Sequence, residues 1–325
     1  MQMRYYFAPL EGITGYVYRN VHHEFFPGTD RYYMPFVAPN YTKHFKSREK
    51  EDISPEHNAG IPVVPQILSN KADEALWAIE ELSDRGYEEI NLNLGCPMPT
   101  VARKKKGSGL LKFTDELDAY LDGVFSGVAA RSSDRAPVKI SVKTRLGTDS
   151  TEEADALIRI YNKYPISELI IHPRSQKDLY RGVADRAAFL RVFQNSENPV
   201  VYNGDLKTPQ DVLQICEECS RTVKPLDAIM IGRGFLADPS LVRQCQGGSR
   251  ISVQELSAFH DELYHRFTET LPGQAVVISH MKELWFYMGG LFPDGAKCLK
   301  EIRRANNRVQ YEAAVRVLLS TCRIR

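Results

Sequence analysis

The run Asn91-Leu92-Asn93-Leu94-Gly95-Cys96-Pro97 carries a short apolar strand into a turn that exposes one thiol. Ligands of parallel α/β proteins bind at the carboxyl ends of strands, so a cysteine held between Gly95 and Pro97 would be fixed in a crevice. Asn93, three residues earlier, is placed to hydrogen-bond whatever the thiol faces. The alternative is a cysteine that fills space at a strand end, free cysteines being among the most buried residue types.

Other polar groups stand at similar places. Ala8-Pro9, Gln66, Asn93 with Cys96, Lys143 with Arg145, His172 with Arg174, Asn203-Gly204-Asp205 and Gly232-Arg233-Gly234 each close an apolar run. The last two are glycine-bearing turns of the kind on which barrels hold a phosphate, because small residues let backbone N–H groups approach oxygen; plain turns are the alternative. Lys143 has three readings: a structural ion-pair lysine, a Schiff-base nucleophile, or a cation beside a ring that becomes anionic on reduction, as a flavin does. Cys216-Glu217-Glu218-Cys219 lacks a second ligand pair at zinc spacing and reads as helix packing. His22, His23 and His57 have no partners at a readable spacing. No metal site is expected.

The elements that must position these groups are β-rich runs at 5–10, 32–37, 62–68, 88–94, 138–144, 168–172, 199–203 and 228–231, with helical stretches between them. Ala75, Leu76, Ile79 and Leu82 recur at helical spacing before Gly86 stops the run. This β-then-α order predicts a (β/α)8 TIM barrel. After Gly247-Gly248-Ser249 the strand signals end, and helices are expected over 253–270, 276–288, 295–305 and 310–320. The expected domains are therefore a catalytic barrel over 1–245 and a small all-helical domain over 250–325. The polar connection 40–60 is long enough for a lid or a substrate-facing loop.

Forty-two Lys and Arg against 41 Asp and Glu give a net charge of +1, which excludes a polycation that holds nucleic acid by bulk charge. The excess is local. Between 240 and 325 twelve basic residues stand against eight acidic ones. Lys297, Lys300 and Arg304 share one face of their helix, which Arg308 would extend only if the helix continues through Asn306-Asn307. An RNA phosphate rail and a solvated helix face are both open readings, as they are for Arg103-Lys104-Lys105-Lys106. Six scattered cysteines, no signal-peptide pattern and no run of ~18 apolar residues predict a cytoplasmic protein without a membrane span.

Taken together, these segments resemble the bacterial tRNA-dihydrouridine synthase family, flavin-dependent reductases of uridine in tRNA. Ala8-Pro9-Leu10-Glu11-Gly12-Ile13-Thr14 is similar to the opening motif, and Asn93-Leu94-Gly95-Cys96-Pro97 with Gly107-Ser108-Gly109-Leu110-Leu111 to the signature. Val142-Lys143-Thr144-Arg145, His172-Pro173-Arg174, Asn203-Gly204-Asp205 and Gly232-Arg233-Gly234 follow in the same order, and the likeness continues at 283–307. Leu10 stands where methionine is common, and Gly15 where many members carry aspartate.

The resemblance implies FMN at the barrel mouth, contacted by Ala8, Pro9 and Leu10, with Gln66, Lys143 and His172 around its ring. Its phosphate would lie on Asn203, Gly204, Asp205, Gly232 and Arg233. Asn93, Arg145 and Arg174 would bind substrate, a D-loop uridine of tRNA. NADPH would be the electron donor, hydride would pass from FMN N5 to uracil C6, and Cys96 would protonate C5. No stable protein partner is implied, and a monomer is expected. Competing readings are a flavin-dependent small-molecule reductase of the dihydroorotate or enoate type, a lysine-dependent aldolase or phosphosugar barrel, and a non-catalytic tRNA binder.

Overall fold

The computed structural model describes residues 3–131 and 138–324 of the chain. Met1 and Arg325, the outer bounds expected for the two domains, lie outside those residues. Nine strands are found among them: β1 (Arg4–Phe7), β2 (Arg31–Tyr33), β3 (Val63–Val64), β4 (Gln66–Ile67), β5 (Glu89–Leu94), β6 (Lys139–Arg145), β7 (Leu169–His172), β8 (Val200–Tyr202) and β9 (Ala228–Ile231). All pair in parallel, in the order β3-β2-β1-β9-β8-β7-β6-β5-β4.

The two ends of that order are consecutive pieces of one extended segment. Pro65 parts them because it has no N–H for a ladder, although its carbonyl still accepts from Asn91 N–H at 2.9 Å. With β3 on β2 and β4 on β5, the sheet returns to itself as a (β/α)8 barrel. The third expected strand is thus split in the structure.

Alternation decides what each strand turns inward. On β6, Ile140, Val142 and Thr144 are buried on one side, while Ser141, Lys143 and Arg145 share the other with Asn91 and Asn93 of β5. The barrel interior is layered. Tyr6, Ala8, Tyr33, Val64, Ile170, Val201, Ala228 and Met230 form its apolar cluster. At the amino-terminal end Arg31 bridges Glu89 at 2.8 Å and Glu168 at 2.9 Å, and Arg4 pairs with Glu168 at 2.8 Å. Burial raises the Glu89 carboxyl above its ordinary range, and Arg31 opposes that shift. Charge at this end closes the barrel and leaves the opposite end for chemistry.

The 40–60 connection is more structured than its composition suggests. It contains the helix Ser47–Asp52 and a 3-10 turn at Glu56–Asn58. Phe45 is buried against Trp77 with ring centroids 4.7 Å apart, and the Tyr87 hydroxyl donates to the Ile53 carbonyl at 3.0 Å. Burying one phenylalanine is worth about 1.5–3 kcal/mol, enough to fasten a polar segment at its middle.

The chain divides into two compact units. One holds the strands, with residues up to Pro9, Asp30–Asp205 and Gln210–Ile231; the other holds Leu10–Thr29, Leu206–Pro209 and everything from Gly232 onward. The second unit is helical. Tyr16–Phe25 packs with Val253–Thr270, where Phe259 meets Tyr18, Phe25 and Phe26 edge-on. Gly15 is the N-cap of Tyr16–Phe25 in extended backbone (φ −64°, ψ 174°) with no side-chain cap, so the aspartate common in the family would fit its backbone. Ser252 and Glu255 form a capping box that starts Val253–Thr270. The helix Ala296–Arg304 stops where expected. Asn307 then caps a new helix, Arg308–Thr321, by accepting from Gln310 N–H at 3.0 Å. Arg308 pairs with Glu312 at 2.6 Å, so it does not extend the basic face of Lys297, Lys300 and Arg304.

His22 gives this unit a pH response. Burial first, then the neighbouring His23, draws its pKa down to about 3, partly offset by a backbone hydrogen bond at Pro239. A histidine held below its unfolded value of about 6.5 contributes full stability above that pH. The contribution is lost as pH falls, because the unfolded chain takes up a proton that the folded chain refuses. Between pH 7 and 5 the loss from this group is expected to be about 2 kcal/mol. Urea unfolding at the two pH values should show a smaller drop for His22→Gln than for the parent chain; equal drops would rule His22 out as the source.

Candidate active site

The turn after β5 is held from three sides, in each case through its backbone. Gly95 N–H at 3.0 Å and Cys96 N–H at 2.9 Å both donate to Asn93 Oδ1. The Cys96 carbonyl accepts from Ser108 N–H at 3.1 Å and Ser108 Oγ at 2.9 Å. The Gly95 carbonyl accepts from Arg145 Nε at 3.0 Å. Gly107 makes the second of these contacts possible. Its φ is +56°, and a Cβ there would lie 2.7 Å from the Cys96 carbonyl oxygen and 3.0 Å from Cys96 Cβ.

Asn93 also starts a buried relay. Backbone amides only donate, so the atom they meet is the carboxamide oxygen and the Asn93 nitrogen must face Gln66. Asn93 Nδ2 donates to Gln66 Oε1 at 2.7 Å, Gln66 Nε2 to Asn91 Oδ1 at 2.8 Å, and Asn91 Nδ2 to Ser141 Oγ at 2.9 Å. The orientation of three carboxamides is therefore set by the turn that carries Cys96. Beyond these bonds, Gln66 and Asn93 each keep one amide N–H for which no acceptor is found among the described residues.

Lys143 lies beside Asn93 in the β5–β6 register. It is half-buried, and no hydrogen bond or ion pair to it is found among the described residues. Desolvation, then the like charge of Arg145, draws its pKa down to about 7, with Cys96 acting in the opposite sense. A cation in this position without a carboxylate partner suits an electron-rich or anionic group on a ligand. Arg145 is 2% exposed, donates from Nη1 to the Ser175 carbonyl at 2.8 Å and stacks over the Tyr180 ring at 5.3 Å.

Arg174, expected to meet substrate, donates four of its five N–H groups to oxygens of the chain, and the fifth lies 3.5 Å from a His172 ring nitrogen. Nε donates to the Arg181 carbonyl at 3.0 Å, and Nη2 to the Gly182 carbonyl at 2.8 Å and Asp205 Oδ2 at 2.5 Å. Nη1 meets Asp205 Oδ1 at 3.1 Å and His172 Nε2 at 3.5 Å. The side chain is 2% exposed, and these bonds brace the loop after β7. Arginine cannot accept, so a hydrogen bond across the 3.5 Å to His172 requires the neutral tautomer with its proton on Nδ1.

Asn203 Nδ2 donates to the Met230 carbonyl at 2.8 Å, which ties the end of β8 to β9. A Cβ on Gly204 would run into the Tyr202 hydroxyl, so glycine there is required by that ring. Ala8 belongs to the apolar interior, its N–H donating to the Ile231 carbonyl at 2.8 Å, and Pro9 follows it half-buried. Leu10, Gly232 and Arg233 fall in the second unit. There Leu10 N–H donates to Thr14 Oγ1 at 2.8 Å, and Gly232 precedes the short helix Arg233–Ala237.

Sequence reasoning missed Asn91, although its position two before Asn93 in an otherwise apolar strand was a readable period-2 signal. It also missed Tyr180, 54% exposed and edge-on to His172 at 6.3 Å, for which a loop offers no periodic signal.

A family model described as dihydrouridine synthase matches residues 6–319. The chain belongs to the dihydrouridine synthase family. Among its relatives, tRNA-dihydrouridine synthase B of Pasteurella multocida is 27% identical over 243 residues, 75% of this chain and 69% of that protein. The protein of the same name from Vibrio vulnificus is 26% identical over 292 residues, 84% of each chain. The tRNA-dihydrouridine(16) synthase of Pseudomonas syringae is 28% identical over 251 residues, 73% of each. The matched span of the family model takes in every strand except the first two residues of β1, and so the whole Cys96 turn with its supports. No helix among the described residues is long and apolar enough to cross a membrane, and none of their His, Cys, Asp and Glu side chains gather in groups of three or more that hold a metal ion.

Proposed function

We propose that this chain reduces D-loop uridine in tRNA to 5,6-dihydrouridine, with FMN as the bound cofactor and NADPH as the electron source. The observation that carries the reading is the meeting of Cys96, Asn93, Gln66 and Lys143 on adjoining strand ends in a chain of this family. The names of the relatives supply tRNA as substrate. The residues fit a flavin: an unpaired half-buried cation at Lys143 matches the charge that a reduced isoalloxazine gathers, and the uncommitted N–H groups of Gln66 and Asn93 match carbonyl oxygens of a ring. Bound there, FMN would supply the hydride for uracil C6.

The chain's own residues do the rest. Cys96 gives its thiol proton to C5. Asn93 orients the uracil through its remaining N–H, while Arg145 fixes the turn through the Gly95 carbonyl. Arg174 acts by bracing His172 and Asp205. A uridine drawn out of a folded tRNA costs a few kcal/mol of unstacking, which basic side chains gripping phosphates offset.

The Arg103–Lys106 run divides accordingly. Lys105 pairs with Glu116 at 2.6 Å and lies over Phe113, and Lys106 is 3.7 Å from Glu74, whereas no acidic partner of Arg103 or Lys104 is found among the described residues. Arg103→Glu with Lys104→Glu should weaken tRNA binding and reduce the slope of log affinity against log salt by about 1–2, while reversal of Lys105 and Lys106 should do less. Equal affinity and slope in a filter-binding salt series would assign the run to plain solvation. The reading as a whole is tested by incubating the purified chain with FMN, NADPH and tRNA from cells lacking dihydrouridine, then looking for the two-hydrogen mass gain in uridine. Failure to bind FMN, or NADPH-dependent reduction of free pyrimidines but not of tRNA, would overturn it.

A further inference from the structure

Two cysteines outside the barrel meet. Cys298 lies in the first turn of Ala296–Arg304, Cys322 caps the end of Arg308–Thr321, and their sulfurs are 4.0 Å apart. Their meeting follows from packing one turn away. Gly295 lies against Leu318, where a Cβ would come within 3.0 Å of Leu318 Cδ1 and 2.8 Å of Phe292 Cβ. One turn further along each segment the two thiols face each other. Both are partly exposed and both are free. Two of the other cysteines differ. Cys96 belongs to the barrel turn, and Cys219 is fully buried with its pKa pushed up to about 12 by that burial. With no group of three metal-ligating side chains among the described residues, the pair does not belong to a larger metal site.

We propose that Cys298 and Cys322 form an intramolecular disulfide on exposure to a small-molecule disulfide such as oxidised glutathione, a modification that fastens the basic helix Ala296–Arg304 to the end of Arg308–Thr321. The exchange balances. The thiolate of one cysteine attacks the small disulfide and expels one small thiol, and the second cysteine then displaces the other, so that two protein thiols are oxidised and one small disulfide is reduced to two thiols. To reach bonding distance, the sulfurs need to close from 4.0 Å to about 2.05 Å, within reach of a side-chain rotation. Burial raises the Cys322 thiol above its ordinary value, so exchange should be faster at pH 8–9 than at neutrality.

The test treats the whole folded chain with oxidised glutathione at pH 8.5, removes the glutathione, blocks free thiols with iodoacetamide in urea so that buried Cys219 is reached, and reads intact mass and proteolytic peptides. The expected product carries two fewer alkylations than the six of the reduced chain, a Cys298–Cys322 cross-linked peptide, and no bound glutathione. Cys298→Ser and Cys322→Ser should each remove the cross-link, leaving at most a glutathione adduct on the surviving cysteine. Full alkylation, stable glutathione adducts on both cysteines of the unaltered chain, a Cys216–Cys219 link in place of this one, or cross-linking only after unfolding in urea would each overturn the proposal.

Discussion

Replacing Cys96 with alanine is expected to leave the chain folded and flavin-competent while slowing dihydrouridine formation by about 10²–10⁴-fold, the range for loss of a positioned general acid. The fold should survive because the hydrogen bonds that shape the turn come from its backbone. The Cys96 N–H reaches Asn93, its carbonyl is held by Ser108, and the Gly95 carbonyl is held by Arg145. Alanine keeps all of these and removes only the sulfur. Cys96 is the smallest of the three influences on the Lys143 pKa, after desolvation and Arg145, so ligand binding near that lysine should change little. Single-turnover reduction of tRNA by the pre-reduced protein isolates the step. If its rate is unchanged in the variant, Cys96 is not the acid, whatever holds the uracil.

The barrel was legible because its strands announce themselves twice, by β-branched runs and by polar residues at their ends. The helices after residue 250 were legible because their apolar spacing is strong. What the sequence concealed was long-range pairing. Arg174 reads as a ligand-facing cation after a strand end, and nothing local reveals that Asp205, thirty-one residues later, and two loop carbonyls take up its donors. Gly204 reads as a phosphate turn, yet the ring of Tyr202 is what excludes a side chain there. The 40–60 segment reads as open because Phe45, its anchor, is one apolar residue among polar ones. Charge patterns failed in the same way. Arg103–Lys106 looks like four equal cations until Glu74 and Glu116 are brought beside two of them. Except at Gly204, whose obstructing ring is two residues away, the deciding partner is distant in the chain, and periodicity carries no information about it.

The relay from Asn93 to Ser141 makes the second large prediction, because two substitutions at one position should separate its structural and chemical work. Asn93→Ala strips the acceptor from Gly95 N–H and Cys96 N–H and the donor from Gln66 Oε1. An unsatisfied buried polar group costs about 1–3 kcal/mol. Water can reach the half-exposed turn but not Gln66, so a total loss of about 2–5 kcal/mol in urea unfolding is expected. Activity should fall at least 10²-fold besides, since a shift of about 1 Å in the turn misplaces the thiol. Asn93→Asp should behave differently. A carboxylate still accepts from both backbone amides, and its other oxygen then requires an N–H from Gln66. Gln66 and Asn91 can both flip if Ser141, at the end of the relay, turns its one hydroxyl proton from the Glu89 carboxylate to Asn91 Oδ1. The reversal gives up the Ser141 hydrogen bond to Glu89, so a loss smaller than that of Asn93→Ala is expected. Reduction should still fail, because the N–H that would orient uracil is gone and a negative charge stands beside Lys143, where it raises the lysine pKa and competes with an anionic ring. Equal destabilisation by the two substitutions would show that the relay cannot reverse, and full activity in Asn93→Asp would remove Asn93 from substrate recognition.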